Sequence, residues 1–136
     1  MSHFTTVETK IRNLQMLERV LEELGHNFTK AEAGQTVKVK GYQGQTTDAV
    51  LVIHSSKQYE IGVTVDAETG NVGFVSDWEF LEFATGYDQQ EFTSKVMQRY
   101  AYHTVKEEVA KRGYTLEEEE VDDSGHIHVT VSSWGD

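Results

Sequence analysis

Cysteine and proline are both missing from the 136 residues of this chain. Without cysteine there are no disulfides, thiolate zinc sites, iron–sulfur clusters or cysteine nucleophiles. Without proline there is no proline-rich linker or ligand segment, and a compact unit without hinges is expected. Positive charge is scarce too: 12 Lys and Arg stand against 23 Asp and Glu, a formal net charge of −11. Nucleic-acid affinity comes from cations that neutralise phosphates, so this balance excludes nucleic acid as the expected partner, and it disfavours anionic membrane surfaces for the same reason. The longest apolar run, Ala49 to Ile53, falls far short of the roughly 20 residues of a membrane span, so no membrane insertion is expected. "MSHFTTVETK" lacks the basic-then-apolar order of a secretory signal, which predicts a soluble, cytoplasmic chain. Its length suits one domain over residues 1–136.

The chemistry-bearing motifs are absent as well. There is no G-x-S-x-G elbow, phosphate-cradling glycine loop, H-E-x-x-H or EF-hand spacing. Carboxylate pairs are so common in an acidic chain that proximity alone nominates no acid/base couple. We therefore expect no catalytic residue and no cofactor, and lean against an enzyme.

What is present is a clear sequence of elements. "HFTTVET" reads as a strand. "NLQMLERVLEELG" sets Leu14, Leu17, Val20, Leu21 and Leu24 at helical spacing, with Asn13 as N-cap and Gly25 just past the end. The period then changes to two. "TVKVKG" alternates, "DAVLVIHS" is apolar on both faces as a central strand should be, and "GYQGQT" is a glycine-bounded loop. "YEIGVTVDAETGNVGFV" is a hairpin, with Tyr59, Ile61, Val63 and Val65 on one face and Gly70 free to take a positive φ in the turn. "SDWEFLEFATGY" shows no clean period. Asp88 with Glu91 makes a capping box for a second helix running to about Arg112. The chain closes on a second hairpin, in which Asp122 to Gly125 form a turn that pairs Val121 with Ile127 and Glu120 with His128. The order β-α-β-β-β-β-β-α-β-β predicts an α+β two-layer domain, a largely antiparallel sheet with two helices packed on one face.

Three stretches invite a functional reading. His126 and His128 share one side of a strand and, with Glu120 across the hairpin, offer a metal site; the plainer reading is the wet face of an ordinary strand, so no metal is expected. "EEEEVDD" at 117–123 holds six of the acids and reads as a charged strand edge. "QRYAYH" at 98–103 crowds Arg99, Tyr100, Tyr102 and His103 into one and a half turns. These residue types are enriched at hot spots, although Tyr100 and His103 also suit a core-facing stripe. Trp78 and Trp134 divide in the same way between packing and contact.

"MSHFTTVETKIRNL", "VKGYQGQTTDAVL", "QRYAYHTVKEE" and the final "EEEV" with its trailing "W" resemble the hypothetical chloroplast reading frame thirty-five family, and the likeness spans essentially the whole chain. The resemblance implies a cyanobacterial cytosol or plastid stroma and brings no catalytic residues, since the family has no known function. The expected role is an acidic accessory or binding module acting through a protein partner, with a contact patch of Tyr42, Gln43, Trp78, Arg99 and His103. The alternative is a small-molecule or metal-ion binding domain using His103 or the His126/His128 pair. A third possibility is homo-oligomerisation through an exposed edge strand.

Overall fold

The computed structural model describes residues 3–124 and 126–133, with residues 115–119, 121 and 129–133 described by their backbone alone. Its centre is a five-stranded antiparallel sheet in the order β1-β7-β6-β5-β2, built from Thr5–Glu8, Val72–Ser76, Ile61–Val65, Leu51–Ile53 and Phe28–Lys30. Strands β5, β6 and β7 form a meander. β1 flanks β7, and α1 (Leu14–Glu23) carries the chain across to β2 at the far edge. The turn between β6 and β7 closes as the sequence predicts, with Gly70 at φ 75° and the Asp66 carboxylate accepting from the Glu68 and Thr69 amides.

One face of this sheet carries the main core. Leu51, Ile53, Ile61, Val63, Val72 and Phe74 point to it and meet Leu17, Val20 and Leu21 of α1, Trp78 and Leu81 of α2 (Trp78–Thr85), and Phe92 and Val96 of α3 (Gln89–Lys111). Alternation sends the next residues to the opposite face, which is not left to water. A separate hairpin, β3 (Val37–Lys40) and β4 (Thr46–Ala49), covers it, closing Val39 and Ala49 over Val52. The α+β class with antiparallel pairing holds, and two details differ from expectation. "DAVLVIHS" is two strands bent at Val50, one in the covering hairpin and one in the central sheet. "SDWEFLEFATGY" contains a third helix, α2, ended by Gly86 at φ 77°.

The helix ends follow local chemistry. Asn13 Oδ1 accepts from the Met16 amide, and α1 stops in a Schellman arrangement in which Gly25 (φ 84°) and His26 donate to Glu22 and Leu21. Asp88 caps α3 through the Glu91 amide. The C-terminal hairpin, β8 (Tyr114–Val121) and β9 (Ile127–Ser133), lies against α3. Its register pairs Val121 with Ile127 and Glu120 with His128, as read from the sequence. The positive φ expected at Gly125, the core-facing valines of this hairpin and Trp134 lie outside what the structure describes. No helix among the described residues is long and apolar enough to cross a membrane.

Candidate functional site

Residues 41–45 leave β3 in a tight 3-10 turn. Its ends are tied by Gly41 N–H to the Gln45 carbonyl (2.8 Å) and Gln45 N–H to the Tyr42 carbonyl (3.0 Å). Gln43 sits at φ 53°, ψ 36°, the left-handed region, and among the described residues it is the one non-glycine with positive φ. Such a conformation costs an L-residue about 1–2 kcal/mol and persists only where the surroundings impose it. Those surroundings are visible. Gly41 packs on the Phe4 ring so closely that a Cβ there would meet it at 2.6 Å. Two buried carboxylates hold the loop from beneath: Asp77 Oδ2 accepts from the Tyr42 amide (3.2 Å) and Glu60 Oε1 from the Lys40 amide (3.0 Å). Glu60 is engaged again by His54 Nδ1 at 2.7 Å, and the other ring nitrogen of His54 meets the Thr29 hydroxyl.

The turn stacks on α2. The Tyr42 ring lies 4.2 Å from that of Phe80 at an interplanar angle of 22°, and Tyr59 stacks on the same phenyl ring at 5.8 Å. One helical turn onward from Phe80, Phe83 is 91% exposed. Beside the rings lies an open cleft of about 450 Å³, walled by Lys40, Tyr42, Gln43, Lys57, Gln58 and Tyr59 together with Gly41 and Gly44. A larger cleft, about 880 Å³, separates α3 from the tip of the C-terminal hairpin. Its walls are mainly apolar, without stacked rings, and its lysine, Lys95, is ion-paired to Glu91. We place the candidate site at the 41–59 cleft, where cations, stacked rings and a constrained loop converge.

The contact patch expected from sequence divides. Tyr42 and Gln43 form the loop wall of the cleft. Trp78 is next to it in the chain but is a core residue, 8% exposed, with its indole N–H donated to the Thr5 carbonyl at 2.9 Å. Arg99 and His103 are drawn to α1 instead, where both bind the Glu23 carboxylate, His103 Nε2 at 2.8 Å. The Arg99 hydrogen bond holds the Glu23 carboxyl below its usual range; partial burial opposes this and His103 reinforces it. The Arg99 guanidinium also lies over the Tyr102 ring, 4.4 Å from its centroid. This cluster fastens α3 to α1. Sequence reading passed over Lys40, Lys57, Tyr59, Phe80 and Phe83; the detectable signal was the aromatic pair at i, i+3 in "WEFLEF".

At the C-terminal turn, His126 and His128 do share one side. Asp122 Oδ2 lies 2.8 Å from His128 Nε2 and 3.7 Å from His126 Nδ1, and both imidazoles are largely open to water. The His128 hydrogen bond, followed by the His126 amide, lowers the Asp122 carboxyl to about 2. Among the described residues no group of three or more His, Asp or Glu side chains is arranged to hold a metal ion.

Comparison with known proteins adds a family but no chemistry. The chain is 30% identical over 134 residues to the uncharacterized protein ycf35 of Cyanophora paradoxa, and 28% identical over 134 residues to that of Guillardia theta, each alignment covering 98% of both proteins. The ycf35 protein of Pyropia yezoensis is 23% identical over 144 residues, again across 98% of both. No solved structure matches. A family model described as protein of unknown function (DUF1257) matches residues 20–130, and the chain belongs to that family, alongside these plastid-encoded ycf35 proteins.

Proposed function

We propose that the protein is a non-catalytic binding module of the cyanobacterial cytosol or plastid stroma, and that it docks a protein partner on the face made by Tyr42, Gln43, Tyr59, Phe80 and Phe83. One observation carries this reading: Phe83, one helical turn from the stacked Phe80, is 91% exposed, while every other Phe among the described residues is buried or half-buried. An exposed aromatic beside further ring surface suits an interface, where aromatic anchors contribute most of the binding energy. The loop that completes the face is held in a strained conformation by two buried carboxylates, so it meets a partner already ordered, with little conformational entropy left to lose. The absence of nucleophile and phosphate-cradle motifs agrees with a non-catalytic role. Retention of partners from a native lysate by wild-type and Phe83→Ser protein tests the proposal. Loss of a specific partner in the variant is expected; an identical retention profile would refute the docking face.

The alternative reading, a metal-binding role for His126 and His128, has no third ligand arranged beside the pair among the described residues, where Asp122 is hydrogen-bonded to His128. Elemental analysis of untagged protein decides it: a stoichiometric transition metal lost in His128→Ala supports that role, and metal-free protein ends it.

A further inference from the structure

We infer that the docking face recognises an acidic segment of its protein partner, whose carboxylates pair with Lys40 and Lys57 while a neighbouring apolar side chain covers Phe80 and Phe83. This rests on the docking face proposed above and adds the chemistry of what binds there. In a chain with almost two acids for each base, the eight residues walling the cleft include two lysines and no carboxylate. The acids that touch the loop backbone, Glu60 and Asp77, are buried beneath it and engaged with the Lys40 and Tyr42 amides.

Among the described residues the two lysines have no counter-ion. On β3, Lys38 faces Asp48 across the hairpin and is paired to it at 2.6 Å. Lys40, two residues on, faces Thr46, so the register that neutralises one lysine leaves its neighbour unpaired. Lys57 stands at the tip of the 55–59 loop. Ser56 braces that loop, its hydroxyl donating to the Tyr59 carbonyl and accepting from the Gln58 and Tyr59 amides. Both ammonium groups are exposed, and no carboxylate among the described residues pairs with either.

The occupant follows from the shape of the charge. Tyr42 and Tyr59 wall the cationic cleft and both stack on Phe80, and the exposed Phe83 follows one helical turn beyond Phe80 on α2. A small free anion would fill the cleft and leave Phe83 uncovered; a chain segment spans both. No arginine lines the cleft, and arginine is the side chain whose fork fits a phosphate. Lysine ammoniums with the Gln43 and Gln58 amides suit carboxylates and peptide backbone. Glu79 and Glu82 on the outer part of α2 repel acids there and fix the direction of the segment, acidic end in the cleft and apolar end on the helix.

The test is selection of a phage-displayed random peptide library on the purified full chain, with Kd values of the enriched peptides measured on wild type, Lys40→Glu/Lys57→Glu and Phe83→Ser. Melting curves check that each variant is folded, which the exposure of all three side chains favours. Wild type is expected to enrich peptides that place Asp or Glu next to an aromatic or aliphatic residue. The double charge reversal is expected to weaken them about tenfold, two attractions being replaced by two repulsions. Peptides enriched without acids, or bound equally by the lysine variant yet lost on Phe83→Ser, overturn acidic recognition and leave the docking face standing. Enrichment that Phe83→Ser does not affect, or no enrichment at all, overturns both. Citrate or inorganic phosphate shifting Tyr42 and Tyr59 resonances where no peptide binds overturns the proposal in favour of a small-anion site.

Discussion

The covering hairpin makes a sharp demand on one residue, Gly62. It pairs with Val75 in the central sheet and lies directly under the β3–β4 layer. A Cβ built there would stand 2.5 Å from Val39 Cγ2, 2.8 Å from Val75 Cγ1 and 3.0 Å from Ala49 Cβ. All three neighbours are buried, so a methyl group has nowhere to go unless the hairpin lifts off the sheet. Overpacking of this kind costs about 1–3 kcal/mol. Replacing glycine in the unfolded chain returns about 0.4–1 kcal/mol, so Gly62→Ala should destabilise by about 1–2 kcal/mol. For a domain of this size that is a fall in Tm of about 3–8 °C, readable by circular dichroism. The cause is separable by a double-mutant cycle. Val39→Ala alone should cost about 2 kcal/mol through lost burial, yet in the Gly62→Ala background it removes the clashing methyl, so the pair should fall short of additivity by about 1 kcal/mol or more. A Gly62→Ala protein that melts at or above wild type, or a cycle additive within about 0.5 kcal/mol, would show that the hairpin does not press on the sheet there.

Three further outcomes are expected. Glu23→Gln removes the negative charge and one of the two carboxylate oxygens that Arg99 and His103 share and should cost about 1 kcal/mol or less at neutral pH, the pair being partly exposed; because the Glu23 carboxyl is depressed from 4.5, the wild-type advantage is complete above that value and should shrink as pH falls through the lower folded value, and a gap in Tm unchanged between pH 6 and pH 3 would contradict it. His26, half-buried against Tyr87 and Phe92, is held below 6.5 by burial and then by Lys95; the unfolded chain takes up this proton first, so its contribution to stability falls as pH drops from above 6.5 towards the folded midpoint, and an NMR titration of the ring at or above 6.5 would refute the burial. Asp122→Ala should speed amide exchange at Ser124 and His126, both of which donate to its Oδ1 at 2.9 Å; with the carboxyl at about 2, wild-type protection should last until acid reaches that value, and earlier loss or no effect of the substitution would remove Asp122 as the turn's organiser.

The parts of this fold that sequence announces are those decided by neighbours along the chain. Asn13, Gly25, Asp88 and Gly70 act within a few residues of themselves, and each does in the structure what its type and position imply. The β8–β9 register was readable because the alternation of Val121, Ile127 and the flanking polar residues admits one pairing. α2 was not readable, because its aromatic and aliphatic residues answer to three environments: Trp78 and Leu81 to the core, Phe80 to the Tyr42 loop, Phe83 to solvent. The covering layer was hidden for a related reason. A strand apolar on both faces says that something covers each face, and only topology says that the cover is its own neighbour β4, bent away at Val50. The Arg99 and His103 pair was legible as a cluster, but its partner Glu23 lies 76 and 80 residues away, so the same residue types that suggest a hot spot turn out to be a tie between helices. The candidate site sits where local pattern and tertiary placement disagree most: a non-glycine in the left-handed region, a lysine that the register leaves unpaired, a phenyl ring on the wet side of a helix. The first is imposed by the packing and buried carboxylates beneath the loop; the other two, an exposed lysine and an exposed ring, are left without a partner among the described residues.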